Sequence, residues 1–452
     1  HIPPLNHYES SYTNWVSFSL PFSVLFLFGL ETFSFLISLC FSHILSFQDN
    51  KGLISMKWLF LALGSMFVQQ TFVTLGKVLP SVLAPAIISE LHIEASWLGV
   101  YVGMIAAVSL LVQAGCGSII VRYGALRVSQ ISLLLTGVGL ILAAPGIIAL
   151  MVLSAIAIGA SASSTPASSH LLSRYAPGKY APLVFSAKQT AVPVALLIAG
   201  LLGPLLTEIY GWRHALVVIG IGCLLFPLML EFMRREFDSD KDVTRQFHLS
   251  DFRETIGFVI GKPELRGLAF GSFAFVGLQT TFIAYFVIYL TEIGFSLIVA
   301  GTIFSIATAV AIPGRIFWGW LSSRYISPRA MLGFLAILMF FAVSCVALFS
   351  PIWTDWQVTL VAIAVSASVF SWHGVTLAEA ARLAPTSMRG AVTGGVLSFG
   401  QCGGLVLPLI YSLVLGVTES YKLGFFICAL PALLIGLMLL YSARHQMTVI
   451  RN

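Results

Sequence analysis

From Met56 onward the chain is a succession of apolar runs, each roughly twenty residues long, joined by short polar links. A run of that length crosses hydrocarbon as a single helix, because lipid offers no partner for an unsatisfied backbone N–H or C=O. Twelve such runs are read: 58–88, 96–119, 128–145, 147–172, 182–207, 213–233, 266–290, 296–321, 330–350, 356–381, 389–416 and 421–443. Only 9% of the residues are charged and 58% are hydrophobic, whereas soluble domains carry about a quarter charged residues. Water alone cannot be the solvent of such a chain. The expected fold is an all-α membrane protein.

One link is long and polar. It divides the runs six and six, so the expected domains are a six-helix bundle over 56–233, a linker over 234–265, a second six-helix bundle over 266–447, and a tail over 448–452. Residues 1–55 stand apart. They are rich in Phe and Ser, contain Lys51 as their only Lys or Arg, and precede the first methionine, Met56. They are read as an upstream extension foreign to the bundle. The alternative is an extra N-terminal helix through Val16 to Leu45, which is long enough to span but lacks the basic flank of a signal peptide.

Basic residues set the expected orientation. Nineteen of the 24 Lys and Arg fall on one side of the spans, among them Lys57, Arg122, Arg127, Arg174, Lys179, Arg234, Arg245, Arg324, Arg329 and Arg382. Arg213 and Lys422 alone lie on the other, so the positive-inside rule places both ends of the twelve-helix core and the linker in the cytoplasm. A bacterial inner membrane is the expected location. The net charge of +6 does not point to nucleic acid, because the cations sit between apolar runs and form no stripe.

The two halves repeat. An offset of 202 pairs Glu90 with Glu292, Gly99 with Gly301, Gly117 with Gly319, Arg122 with Arg324, Tyr123 with Tyr325 and Arg127 with Arg329. Further on, an offset of 208 pairs Arg174 with Arg382 and Pro177 with Pro385. Two pseudo-symmetric bundles related about the membrane normal are a transporter architecture, with the substrate held at their interface.

Gly117-Ser-Ile-Ile-Val-Arg122-Tyr-Gly124, followed by Arg127, resembles the signature of the major facilitator superfamily, and Gly319-Trp-Leu-Ser-Ser-Arg324-Tyr, followed by Arg329, resembles its second copy. The resemblance implies a gating role for these Gly and Arg residues on the cytoplasmic side. Val121 and Ser323 stand where the family usually has Asp, so Arg122 and Arg324 must find other partners. Lys77 and Pro85 are similar in spacing to a helix-1 Arg and Pro of the anion:cation symporter family. Pro313-Gly-Arg315 is similar to helix 8 of the monocarboxylate transporter family, with Ala311 where that family has an acidic residue.

Three cations, Lys77, Lys188 and Arg315, fall inside spans. A charge at mid-bilayer is costly and usually faces the bundle interior with a partner. Arg315 lies nine residues before Arg324 and Lys188 nine after Lys179, each roughly 13 Å along a helix. Lys77 lies thirteen residues before Glu90, roughly 20 Å in. Acidic counterparts are scarce, and the missing negative charge is read as the substrate's. A carboxylate would bridge Lys77 and Arg315, Arg offering a two-pronged fork and Lys a compact charge. The alternative is snorkelling to the head groups, which weighs most for Lys188. Gln189, Gln279, His373 and Gln401 could complete the pocket, or could hold the bundle together by interhelical hydrogen bonds. His170, His373 and Glu379 are the candidates for a proton carrier; Glu379 could instead pair with Arg382 one turn on.

The expected function is therefore proton-coupled movement of a small organic anion by alternating access. Drug or neutral-solute efflux by proton antiport is the first alternative. A non-transporting receptor on the same fold is the second. No phosphate-binding loop, nucleophile triad or metal cluster appears, and Cys40, Cys116, Cys223, Cys345, Cys402 and Cys428 have no paired spacing, so neither an enzyme nor a cofactor is expected.

Overall fold

The computed structural model describes residues 50–176, 181–244, 250–385 and 389–451. The extension expected over residues 1–55 lies outside them up to residue 49, as do Pro177, Lys179 and Arg245. Lys57–Asn452 form one compact unit, and the twelve apolar runs all lie in it. Every regular element among the described residues is helical.

Span 1 comprises α1 (Asn50–Val82) and α2 (Ala84–Leu91); span 2 is α3 (Trp97–Tyr123) and span 3 is α4 (Ala125–Ala143). Span 4 is α5 (Ile148–Ala160), a 3-10 turn (Ser161–Ser163) and α6 (Ser164–Tyr175). Span 5 is α7 (Ala181–Gln189) with α8 (Ala191–Tyr210), and span 6 is α9 (Trp212–Glu231). The linker contributes α10 (Arg234–Phe237) and α11 (Ser250–Gly261). Spans 7, 8 and 9 are α12 (Pro263–Glu292), α13 (Leu297–Arg324) and α14 (Pro328–Val346). Span 10 is α15 (Asp355–Val369) with α16 (His373–Leu383); α17 (Arg389–Thr418) and α18 (Tyr421–Arg451) are spans 11 and 12. Eleven of these are long and apolar enough to cross a membrane, and twelve if the bent pair Trp97–Gln113 and Cys116–Tyr123 is one span.

The helix ends follow from local chemistry. Ser296 and Ser327 accept N–H groups of the first turns of spans 8 and 9, and Thr354 with Gln357 forms a reciprocal capping box at the start of span 10. The repeat seen in the sequence recurs in the backbone. Left-handed residues end spans 1 and 7 at His92 and Gly294, 202 apart, and precede spans 6 and 12 at Gly211 and Glu419, 208 apart. Helical packing repeats too. Spans 3 and 6 pair as spans 9 and 12 do, and spans 2 and 4 as spans 8 and 10 do.

The two bundles meet through spans 2 and 11 and through spans 5 and 8. A Cβ on Gly99 would strike the Pro408 carbonyl, and one on Gly301 would strike that of Gly200. These are one contact made twice, since Gly99 and Gly301 are 202 apart and Gly200 and Pro408 are 208 apart. Only the absence of a side chain lets the backbones approach this closely. All of these contacts lie toward the face opposite the basic loops. On the basic face a Cβ at Gly117 or Gly319 would meet nothing within 4 Å, and no hydrogen bond joins the bundles there among the described residues. The close contacts between the bundles among the described residues thus lie on the opposite face.

Candidate functional site

Three interruptions of regular helix bring polar groups to mid-depth. Span 4 tightens into its 3-10 turn at Ser161–Ser163, span 5 breaks at Thr190, and span 10 breaks over Phe370–Trp372. In span 5 the cause is Pro193, which has no N–H to give the Gln189 carbonyl four residues back and whose ring crowds it. The break in span 10 likewise leaves the Phe370 carbonyl without a backbone donor.

Arg315, half-buried on span 8, fills both vacancies. Its Nε donates to the Phe370 carbonyl at 2.9 Å and its Nη1 to the Gln189 carbonyl at 2.8 Å. The second bond crosses between the bundles. Nη2 has no partner among the described residues. Nearby, the Trp318 indole donates to the Ala367 carbonyl at 2.8 Å, tying span 8 to span 10 again.

Lys188, the neighbour of Gln189, is fully buried. Its Nζ donates to the Thr165 carbonyl at 3.5 Å, while the Thr165 hydroxyl donates to Gln70 at 3.0 Å and Gln70 donates to Thr74 at 3.1 Å. This corrects the weight given to snorkelling for Lys188. Its helix turns it into the first bundle, so nine residues of depth place it in the core and not at the head groups. Gln70, Thr74 and Lys77 recur at helical spacing on one face of span 1. Lys77 is half-buried and makes no hydrogen bond or ion pair among the described residues. No hydrogen-bond chain among the described residues joins Lys77 to Arg315; residues 188 and 189 connect the Lys188 and Arg315 networks.

His373 begins the second half of span 10, stacked on Trp372 with ring centroids 3.8 Å apart, and lies within electrostatic reach of Arg315. Its Nδ1, Gln279 Oε1, Trp372 Nε1, Ser371 Oγ and Thr376 Oγ1 are buried without protein partners among the described residues. Buried polar groups are almost always satisfied, so these atoms mark a polar stretch of spans 7 and 10 whose hydrogen-bonding capacity the protein leaves unused. Gln401 is half-buried on span 11 and bonds to none of the three cations.

The remaining acidic and histidine candidates sit elsewhere. Glu379 accepts a fork from Arg382 at 2.6 and 2.7 Å and lies 3.4 Å from Arg329, with both Glu379 and Arg329 buried. His170 bonds to Asp240 at 2.9 Å, beside the Arg174–Asp240 pair at 2.8 Å on the basic face. Arg122 and Arg324 are exposed, and each guanidinium lies 5.8 Å from the ring of its own following residue, Tyr123 or Tyr325. Arg127 reaches Gln130 at 3.3 Å and Glu231 at 3.6 Å.

A carboxylate from outside the signature meets the turn that closes it. Asp238, from the turn after α10, accepts the Leu126 and Arg127 N–H groups at 2.7 and 3.1 Å, placing a carboxylate on the N-terminus of span 3. Burial raises its pKa, against the pull of those two N–H donors. Gly124, with φ +98°, makes room, since a Cβ there would overlap the Asp238 carboxyl.

The sequence profile of the Major Facilitator Superfamily matches residues 59–394. The chain belongs to that superfamily. Family and fold are those of a secondary transporter rather than an enzyme, a multi-pass integral membrane protein moving small molecules across the bilayer. No curated protein sequence matches it. Among solved structures it is similar to a bacterial homolog of the human lysosomal transporter Spinster in an inward-facing, unoccupied conformation, at 18% identity over 86% of this chain and 97% of that one, TM-score 0.67. The occupied form matches at 17% identity over 85% and 96%, TM-score 0.64. A POT family transporter in complex with 5-aminolevulinic acid matches at 14% identity over 85% and 96%, TM-score 0.68. At these identities the likeness is one of fold. It gives the transporter its architecture and leaves its cargo to be argued from its own side chains.

Proposed function

We propose that this transporter carries a small organic anion, a carboxylate, together with a proton, with its basic face in the cytoplasm. One observation supports the reading above all: Lys77, Lys188 and Arg315 lie within spans, and none of them pairs with a carboxylate among the described residues. Two bond to backbone carbonyls, and Lys77 makes no hydrogen bond or ion pair among the described residues. The one acidic residue buried in span 10, Glu379, is already shared by two arginines. An anion entering between the bundles would supply the absent negative charge in surroundings where it counts for far more than in water.

Each cation has a distinct task. Arg315 offers Nη2 to the guest, Lys77 faces it from span 1, and Lys188, buried and bound to Thr165, contributes field from behind. Of the three proton-carrier candidates, His373 alone stands beside the cation site. Proton movement is assigned to it, since a guest anion there would offset the charge of a second cation next to Arg315. Alternating access would reverse the closure between spans 2 and 11 and between spans 5 and 8.

Uptake into proteoliposomes of labelled lactate, benzoate and citrate, with and without a pH gradient, tests this. Arg315→Lys keeps the charge and loses the fork, and should cut uptake by about a hundredfold, the worth of a charge-assisted hydrogen-bonded contact. Wild-type uptake of a neutral or cationic solute in preference to all three acids would overturn the anion reading.

A further inference from the structure

Arg315 is the one intramembrane cation whose bonds cross from one bundle to the other, and the acceptor it finds there exists because of a residue on neither network. A helix normally satisfies the Gln189 carbonyl with the N–H of residue 193. Proline at 193 removes that donor. Within a membrane an unsatisfied carbonyl is costly, so a side chain fills it, and Arg315 Nη1 does so at 2.8 Å. The seam between spans 5 and 8 then runs from Gly200 against Gly301, through the Ser305 hydroxyl donating to the Leu197 carbonyl at 2.9 Å, to Gln189 and Arg315. The opposite pair, spans 2 and 11, touches near Ser96–Gly103 and Pro408–Gly416, and its one side-chain hydrogen bond among the described residues, Ser412 to the Ser96 carbonyl, lies there. The Arg315 bond therefore carries the hydrogen bonds of one seam to mid-depth, while that of the other lies near the face.

We propose that Pro193 is a positioning residue for the anion site: by leaving the Gln189 carbonyl without a helical donor it holds Arg315 across the interface, and an arriving carboxylate competes with that carbonyl and loosens the seam. This rests on the anion reading above. A two-pronged grip on a carboxylate draws on Nη2 with Nε or Nη1; the single Nε N–H is held by Phe370 and one of the two Nη1 N–H groups by Gln189, so a guest that turns the fork toward itself pulls against the Gln189 bond. The Phe370 bond stays within the second bundle. The Gln189 bond joins the two, so its exchange for a guest couples occupancy to movement of one bundle against the other.

Pro193→Ala restores an N–H that can serve Gln189 and release Arg315; Pro193→Gly does the same through a different backbone and guards against a folding artefact. Both should lower the half-saturating concentration for the transported acid among lactate, benzoate and citrate by about tenfold, the size of one hydrogen bond to a charged group. The maximal rate should fall rather than rise, because binding no longer has a seam bond to exchange. Spin labels at Tyr123→Cys and Tyr325→Cys, with the native cysteines replaced by serine, report the basic face directly. Their distance distribution should shift toward shorter values in both variants without substrate. Unchanged half-saturation in both variants, with wild-type uptake of an acid intact, overturns the role of Pro193 and leaves the anion reading standing. If the wild type takes up none of the acids, the anion reading falls, and the label distances decide whether Pro193 sets the seam: a shift upholds that part and an unchanged distribution overturns it.

Discussion

The two bundles agree in backbone and part in charge. Left-handed residues, the glycine contacts at the interface and the mid-depth irregularities of spans 4 and 10 recur at offsets of 202 and 208. The cations do not. Lys77 corresponds to Gln279, Arg315 to Gln113, Lys188 to Val396, and His373 to Thr165. Symmetric geometry is what a rocking pair of bundles requires, because each must close against the other in turn. A small guest has no such symmetry. Its chemistry is written where the repeat is broken.

The basic faces differ in the same spirit. In the second bundle Glu379 sits buried between Arg329 and Arg382, all within the bundle. In the first, two of the acids come from outside it, Asp238 and Asp240 of the linker, and only Glu231 at the end of span 6 is the bundle's own. The largest effect should follow from breaking the internal network. Glu379→Gln leaves Arg329 buried without its counter-charge, a loss of about 3 kcal/mol or more, read as a marked fall in Tm of the detergent-solubilised protein. An unchanged Tm would mean that the buried pair contributes nothing beyond what glutamine can.

Exchanging the cation across the repeat sharpens the functional side. Lys77→Gln with Gln279→Lys keeps total charge and moves it from span 1 to its counterpart in span 7. If the guest is oriented by which bundle holds the lysine, the exchange should cost about tenfold in uptake, or ~1.4 kcal/mol, and Lys77→Gln alone should cost more. Equal uptake by the exchanged protein and the wild type would show that only net charge matters.

The twelve spans, their division six and six and the repeat were legible because apolar length and residue spacing act along the chain, where a sequence displays them. The partners of Arg315 were not. They are backbone carbonyls freed by Pro193 and by the break at Phe370–Trp372, and a search among side chains for a counter-charge does not see a carbonyl. Lys188 was misjudged in a related way, since counting residues gives depth and says nothing of which face the side chain takes. Asp238 was missed because its target, the N-terminus of span 3, lies 111 to 112 residues away. The signal available was Gly124, a signature glycine beside a position where Val121 had replaced the usual acid.

A smaller effect is expected from the linker. Asp238→Ala removes the acceptor on the first turn of span 3 and should cost about 1 kcal/mol, as loss of a helix cap does. It should loosen the first bundle's basic face while leaving Arg329–Glu379 in the second untouched. Hydrogen exchange at 124–128 and 328–332 separates the two. Equal deprotection of both would show that the faces are wired together.

The smallest expected effect compares the loops of the opposite face. Glu90 accepts from Arg213 and from the Trp212 indole; its counterpart Glu292 lies within electrostatic reach of Tyr421, which stands where the first half has Arg213. Hydrogen bonds from Arg213 and then Trp212 hold the Glu90 pKa below its ordinary value. A carboxylate depressed by folding contributes stability above its unfolded pKa, about 4.3 for Glu, and loses that contribution as pH falls through the folded value. Acid should therefore loosen the 90–97 loop and leave 292–296 comparatively unchanged, in hydrogen exchange between pH 7 and pH 3. Glu90→Gln should make the first loop as indifferent to acid as the second, because an amide keeps the geometry and has no charge to lose. If the 90–97 loop stays protected to pH 3 in the wild type, the clamp is set by packing of Trp212 and not by the ion pair.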